Sequence, residues 1–108
     1  MLVASPQGTL QRISSTGPAL GMIPNASFPA AHLPRTPGST FVAYSDGVSE
    51  ALDVNGNELG DERVAALVGA HGARPATELC QAIIDAVNQH AHGVRQADDV
   101  SVMVVKCE

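Results

Sequence analysis

Two places in the sequence put carboxylate side chains directly beside apolar segments of strand length. Asp46 follows the run 40–45, and the pair Asp98 and Asp99 precedes the run 100–105. A carboxylate at the end of a buried strand is held on a rigid element, at an edge that an ion can reach. If the two strands are neighbours, Asp46 and Asp98 face one another, and a cation or a shared proton must relieve their repulsion. Hard divalent cations such as Mg²⁺ or Mn²⁺ prefer oxygen ligands of this kind.

A second interpretation of the same residues needs no metal. An aspartate before a glycine, as in Asp46-Gly47, is common in turns, because the short carboxylate hydrogen-bonds to nearby backbone groups. Asp98 can likewise cap a loop. The local pattern alone leaves both interpretations open.

The remaining segments must form the scaffold that positions these carboxylates. Residues 1–15 predict a hairpin, with apolar strands on either side of a Pro/Gly turn signal. Residues 27–33 are a weaker strand candidate, because Pro29 restricts a strand there to an edge or a start. Apolar residues at helical spacing predict one helix from Asp61 and a second from about Pro75. Strands, then two helices, then a strand predict an α+β fold, with helices on one face of a largely antiparallel sheet.

Composition restricts the classes of partner. The 108 residues, of which 44% are hydrophobic, suffice for one small domain with an aliphatic core. The formal charge of -5 and the lack of a Lys/Arg run argue against nucleic acid and against an anionic membrane. Apolar stretches fall short of the ~20 residues of a membrane span, and no signal-peptide pattern is visible. Cys80 and Cys107 lie far apart, which is typical of unpaired thiols in a cytoplasmic protein.

Five short segments resemble, in order, the motifs of one enzyme family. Residues 17–21 (GPALG) resemble (G-x-P-L-G), and residues 37–39 (PGS) resemble (P-G-D), with serine for the usual aspartate. Residues 44–51 (YSDGVSEA) resemble (Y-T/S-D-G-V-x-E-A). Residues 55–64 (NGNELGDERV) and 96–102 (QADDVSV) resemble (g-x-x-F/L-G-x-E-R-L) and (Q-x-D-D-x-T/S-x). The motifs are those of metal-dependent (PPM-type) serine/threonine protein phosphatases of the bacterial stage II sporulation protein E type.

The resemblance implies a fold, a metal site and a reaction. The family domain is a four-layer α-β-β-α sandwich of two antiparallel sheets with helices outside, and residues 1–108 resemble its C-terminal half, with strands in both sheets. The family's aspartates that match Asp46 and Asp98 are metal ligands. Asp99 is a candidate for orienting Asp98, and Glu50 either supports the site or caps a short helix. The chemistry is hydrolysis of phosphoserine or phosphothreonine with two Mn²⁺ or Mg²⁺ ions and no protein nucleophile.

Two upstream motifs of the family, (G-G-D-x-x-D) and (N-A-G-H-x-P), have no match in this sequence. The first supplies further metal ligands, so we expect little or no phosphatase activity from this chain alone. By family analogy, the intact domain acts on a phosphorylated regulatory protein, an anti-sigma-factor antagonist. The alternative is a non-catalytic regulatory or interaction module that retains the fold. With partner strands missing, exposed strand edges predict a homodimer or a strand swap.

Two weaker patterns have simpler explanations. Residues 53–57 (DVNGN) imitate the start of a calcium-binding EF loop, but Glu58 occupies the glycine position and Val64 the final glutamate position. A polar turn is the better interpretation. His90 and His92 are two residues apart near a helix end, so they do not share a helical face and are expected to be solvated.

Overall fold

The computed structural model describes residues 1–6, 9–13, 23–25, 27, 36–95 and 98–107. The elements in chain order are β1 (Leu2–Ala4), β2 (Leu10–Arg12), β3 (Thr40–Tyr44), α1 (Asp46–Ser49), α2 (Asp61–His71), α3 (Ala76–His90) and β4 (Val102–Lys106). The predicted hairpin, both long helices and the strands beside the two aspartate positions are confirmed. The motif at 17–21, and all but the first residue of the weak strand candidate at 27–33, lie outside the described residues.

The four described strands form one antiparallel sheet in the order β2-β1-β3-β4. Strand β3 is central and pairs with β4 along its whole length, from Thr40 opposite Lys106 to Tyr44 opposite Val102. The α+β fold is therefore confirmed. The expectation that this part of the chain supplies strands to two sheets is not met by the described strands. The reason is that β1 and β4 both pair with β3 and so extend the same sheet.

Helices α2 and α3 cover one face of this sheet and form the core with it. Buried residues four apart on α3, Leu79, Ile83 and Val87, make the apolar stripe that the sequence predicts. Alternate residues of β3 face the helices, since Thr40 and Val42 are buried. The buried apolar cluster comprises Leu2, Ala4, Val42, Val48, Ala51, Leu59, Val64, Val68, Leu79, Ile83 and Val87.

The opposite face of the sheet is apolar but has no helix over it among the described elements. We call it the open sheet face, and it consists of Val3, Phe41, Ala43, Met103 and Val105. The pairing register places Phe41 between Val3 and Val105, and Ala43 opposite Met103. Met103 is 60% exposed and Val105 is 47% exposed. Apolar residues on both faces of β3 and β4 are typical of a sheet that is covered on both sides.

Both cysteines are free thiols, as the sequence predicts. The Sγ atom of Cys80 lies 3.8 Å from the carbonyl oxygen of Val102, a weak hydrogen bond that joins α3 to β4. Within the described ranges, no helix is long and apolar enough to cross a bilayer.

Candidate metal centre

The pairing of β3 with β4 brings Asp46 and Asp98 to the same end of the sheet. Asp46 is the first residue of α1, just beyond the end of β3, and Asp98 lies in the loop that leads into β4. Because Tyr44 pairs with Val102, the end of β3 and the start of β4 are adjacent. Both carboxylates are on exposed residues. The edge location required for a shared metal is thus present, and the metal-binding role itself stays a prediction.

Ser45 ties the two aspartate-bearing segments together. Its backbone N–H donates to the carbonyl oxygen of Ser101 at 2.9 Å. Its hydroxyl accepts the Ser101 N–H at 3.0 Å and donates to the carbonyl oxygen of Asp99 at 3.1 Å. The sequence pattern alone predicts no role for Ser45. The available signal was a hydroxyl residue at a strand end, immediately before the candidate ligand.

Gly47 allows the loop of Asp98 and Asp99 to lie directly against α1. A Cβ atom on this buried glycine would lie 2.0 Å from the carbonyl oxygen of Asp99 and 2.8 Å from its carbonyl carbon. No side chain fits at that distance. The glycine after Asp46 is therefore required by close backbone approach, and Asp46 begins a short helix rather than a simple turn.

Asp46 and Asp98 line two cavities that share Glu50. The Asp46 cavity has a volume of about 490 Å³ and a polar wall that includes Arg12, Tyr44, Ser49, Glu50, Glu58 and Asp61. The Asp98 cavity has a volume of about 230 Å³ and is lined by Gly47, Glu50, Ala51, Leu52, Ala91, Val94, Arg95 and Asp98. Glu50 ends α1, because its N–H donates to the Asp46 carbonyl oxygen at 2.8 Å. Glu50 thus ends a short helix and lines both cavities, and its support of the site stays a prediction.

The wall of the Asp46 cavity contains a fixed tyrosine. The hydroxyl of Tyr44 donates a hydrogen bond to Oδ1 of Asp61 at 2.7 Å, and Arg12 lies 4.0 Å from Oδ2 of the same carboxylate. Partial burial, together with the bond to Asp61 and its charge, raises the pKa of Tyr44 to about 12, although Arg12 opposes the shift. At neutral pH, Tyr44 is therefore a neutral hydrogen-bond donor held by Asp61.

The two aspartate carboxylates are the type of ligand that a hard divalent cation prefers, but they are too few for a complete site. Two carboxylates, Asp46 and Asp98, suit Mg²⁺ or Mn²⁺, since Mg²⁺ is usually held by one or two carboxylates, water and phosphate oxygens. Across the described ranges, no group of three or more His, Cys, Asp or Glu side chains is placed to hold one ion. The described residues therefore supply part of a metal site, and a two-ion site needs further ligands.

The segment 53–57 is a self-contained polar turn. Oδ1 of Asp53 accepts the N–H groups of Asn55 and Asn57, each at 2.9 Å. These bonds lower the pKa of Asp53, and that of Asn57 has the largest effect. Nε2 of His90 lies 2.9 Å from the carbonyl oxygen of Asn57. Since a carbonyl only accepts, this nitrogen carries the proton, and His90 ties the turn to the end of α3.

Comparison with known proteins identifies the family and the fold. The family model described as Stage II sporulation protein E (SpoIIE) matches residues 1–108. Protein IcfG of Synechocystis sp. is 30% identical over 105 residues, which is 97% of this chain and 16% of IcfG. The solved SiaA-PP2C domain of Pseudomonas aeruginosa aligns with a TM-score of 0.78 at 20% identity, over 99% of this chain and 42% of that one. The chain thus spans less than half the length of either protein, and the likeness to the solved domain concerns the fold alone. The chain belongs to the Stage II sporulation protein E (SpoIIE) family.

Proposed function

We propose that this chain is the C-terminal part of a Mn²⁺- or Mg²⁺-dependent protein serine/threonine phosphatase domain. The observation that carries the proposal is the junction of the Asp46 and Asp98 segments at one end of the β3–β4 pair. Ser45 bonds to both Asp99 and Ser101, and Gly47 lets the backbones touch. The bonds of Ser45 to Asp99 and to Ser101, together with the backbone contact at Gly47, hold two carboxylates at one edge, as a shared metal site requires.

Each residue of the junction has a role in this proposal. Asp46 and Asp98 hold the metal, and Ser45 and Gly47 fix the separation of their backbones. Bound divalent ions supply a water activated at neutral pH and neutralise phosphate charge. Glu50 lines the cavities of both aspartates, and its carboxylate orients water or ligand. Asp99 contributes its carbonyl oxygen, which accepts the Ser45 hydroxyl and holds the loop in place.

The open sheet face supports the expected position of this chain in a larger domain. A four-layer sandwich needs a second sheet on the side of β1, β3 and β4 that α2 and α3 leave uncovered, and that side is apolar. The second sheet would also bring the missing acidic ligands to the Asp46 edge. We therefore expect the isolated chain to have little or no activity, and the intact domain to be the phosphatase.

The substrate we propose is a phosphorylated regulatory protein in the cytoplasm, an anti-sigma-factor antagonist by family resemblance. The net charge of -5 supports a protein partner rather than nucleic acid. The alternative function is a non-catalytic interaction module with the same fold. It is favoured by the finding that, among the described residues, no three His, Cys, Asp or Glu side chains are placed to hold one ion.

Mn²⁺ titration calorimetry tests the proposal on this chain and on the full product of its gene. We expect Asp46→Asn and Asp98→Asn to weaken Mn²⁺ binding by the full product at least about tenfold and to abolish phosphate release from a phosphoserine protein. Asp85→Asn is the matched control, because Asp85 is exposed on α3 and bonded to Gln81. If all three variants bound Mn²⁺ as the parent does, the two aspartates would not be ligands. Binding without phosphate release by the parent would favour the interaction module.

A further inference from the structure

The Asp98 cavity combines an apolar floor with a charged rim. Its floor is made of Ala51, Leu52, Ala91 and Val94. Its rim carries the charged residues Glu50, Arg95 and Asp98. Leu52 is 41% exposed although it is a large apolar residue, and it borders this cavity. Apolar surface that remains accessible in a concave site indicates a place for an apolar group of a ligand.

The walls of this cavity are held by bonds that do not depend on a ligand. On one side, Leu52 forms a bridge with Glu58 across the polar turn. On the other, the Val94 N–H donates to the carbonyl oxygen of Ala91 at 2.9 Å, in the turn that follows α3. The His90 bond to Asn57 joins the two sides. The cavity is therefore pre-formed, which lowers the entropic cost of filling it.

The size and lining of the cavity define what fits. A volume of about 230 Å³ is below the roughly 300–1,000 Å³ of pockets for drug-sized ligands, so it suits a single side chain. Side chains of Ala, Leu and Val offer no hydrogen bonds, so a polar group placed among them would be left unpaired. The occupant that fits is one aliphatic side chain of leucine size.

We propose that the Asp98 cavity is a specificity pocket for one aliphatic side chain of the phosphoprotein substrate, close in sequence to the phosphorylated residue. This inference rests on the proposed function. Asp98 and Glu50 belong both to this cavity and to the candidate metal edge, so a peptide with its phosphate at that edge passes over the cavity. An extended chain advances ~3.3–3.6 Å per residue, so a neighbour one to three positions away reaches the floor. Arg95 on the rim complements the negative charge of a phosphorylated segment.

The test uses the full gene product and a set of phosphoserine peptides. In an otherwise alanine-flanked peptide, one leucine is placed in turn at each of three positions on either side of the phosphoserine. We expect one position to raise kcat/KM about tenfold over the all-alanine peptide, because burying one leucine is worth about that factor. Ala91→Phe fills the cavity and Leu52→Ser makes its floor polar, and both should remove the leucine preference. Val54→Ser is the matched control, since Val54 is exposed nearby and does not line the cavity.

Three outcomes distinguish a failure of the proposed pocket from a failure of the proposed function. A leucine preference that disappears in Ala91→Phe and Leu52→Ser but persists in Val54→Ser supports the pocket. No preference in the parent, or a preference unchanged in both cavity variants, overturns it. If the parent with Mn²⁺ hydrolyses neither the peptides nor p-nitrophenyl phosphate, the proposed function fails. Fluorescence anisotropy with labelled forms of the same peptides then tests the pocket. Tighter binding of a leucine peptide than of the all-alanine peptide supports the pocket, and equal binding overturns it.

Discussion

A Cβ atom on Gly47 would lie 2.0 Å from the carbonyl oxygen of Asp99, well inside any permitted contact. The backbone of the helix that begins with Asp46 therefore touches the backbone of the loop that carries Asp98. This contact brings the backbone segments that carry the two candidate ligands close together.

We therefore expect Gly47→Ala to displace the loop at 98–100. The new methyl group collides with backbone, which cannot rotate away, so the free energy of unfolding should fall by about 1–3 kcal/mol. In the full gene product, Mn²⁺ affinity should fall as well. Urea unfolding and Mn²⁺ titration measure the two effects.

Gly69→Ala is the matched control for this prediction. A Cβ atom there would lie 3.6 Å from Cδ1 of Leu10, an ordinary contact. Gly69 is inside α2, where alanine is favoured over glycine by up to about 1 kcal/mol, so stability should be unchanged or higher. Equal stability and equal Mn²⁺ affinity in Gly47→Ala and the parent would show that the loop tolerates the methyl group and that the close approach is not required.

Ser45→Ala tests the hydroxyl that joins the same two segments. The substitution removes the acceptor for the Ser101 N–H and the donor to the Asp99 carbonyl. Each bond contributes about 0.5–1.5 kcal/mol to stability, so we expect the free energy of unfolding to fall by about 1–3 kcal/mol for the two bonds. Mn²⁺ binding by the full gene product should also be weaker. Ser45→Thr retains the hydroxyl and should recover most of both quantities. If Ser45→Thr recovers stability but not Mn²⁺ affinity, the hydroxyl stabilises the fold without being sufficient to position the metal ligands.

Much of this arrangement was predictable from sequence, because it depends on local pattern. The apolar run 40–45 predicted a buried strand, and the spacing of Leu79, Ile83 and Val87 predicted α3. The placement of Asp46 and Asp98 at adjacent strand ends required only that β3 and β4 be neighbours. The five motifs in order also predicted the family, and the family model matches residues 1–108.

The rest depended on contacts between residues far apart in sequence, which spacing does not reveal. The bond from Ser45 to Asp99 spans 54 positions, and no local signal distinguishes Ser45 from an ordinary strand-end serine. A glycine after Asp46 is equally compatible with a turn. Only the position of Asp99 shows that this glycine lets the two backbones approach closely. The expectation of strands in two sheets failed for the described residues because pairing partners are chosen by tertiary packing.

Tyr44 can be titrated directly, because the chain has one tyrosine and no tryptophan. Its pKa is raised to about 12, so tyrosinate absorbance in the folded chain should appear near that pH. Asp61→Ala removes the acceptor of the Tyr44 hydroxyl bond and its negative charge, so the midpoint should move toward the ordinary value of 10. A midpoint near 10 in the parent would show that Tyr44 is not held by Asp61.

The same shift has a consequence for stability at high pH. A group whose pKa is higher in the folded state than in the unfolded state contributes stability below the unfolded value and loses it above the folded value. For Tyr44, that contribution should be complete below about pH 10 and lost as the pH rises through about 12. Tyr44→Phe lacks the ionisable hydroxyl, so its free energy of unfolding should fall less steeply between these pH values. Parallel pH profiles for the two proteins would contradict the assignment.

Lys106 joins the last strand to the end of α2. Its ammonium donates to the carbonyl oxygens of Gly72 and Arg74, each at 2.6 Å, and Thr40 also donates to the Gly72 carbonyl. Carbonyls at a helix C-terminus favour a cation. Lys106→Met keeps the length of the side chain but leaves these carbonyls with fewer donors, so we expect the free energy of unfolding to fall by about 1.5–3 kcal/mol.

Arg63→Met provides the matched control for the Lys106 substitution. Arg63 is an exposed cation in the first turn of α2, where a positive charge opposes the helix dipole. Its removal should therefore leave the free energy of unfolding, measured by urea denaturation for both variants, unchanged or slightly higher. A drop of the same size in both variants would indicate a general effect of lost charge, and the bonds to Gly72 and Arg74 would not explain it.

The open sheet face predicts the oligomeric state of the isolated chain. Met103 and Val105 are more than 45% exposed, and both lie on β4, an edge strand among the described strands. Burial of this face against a second copy removes apolar surface from water, so light scattering should find a dimer whose population rises with concentration. Val105→Lys places a charge in the face and on the edge strand, and should shift the chain toward monomer. Val54→Lys, at a position that is 71% exposed on the polar turn, should leave the dimer intact. A parent chain that is monomeric at every concentration would mean that the open sheet face does not drive self-association.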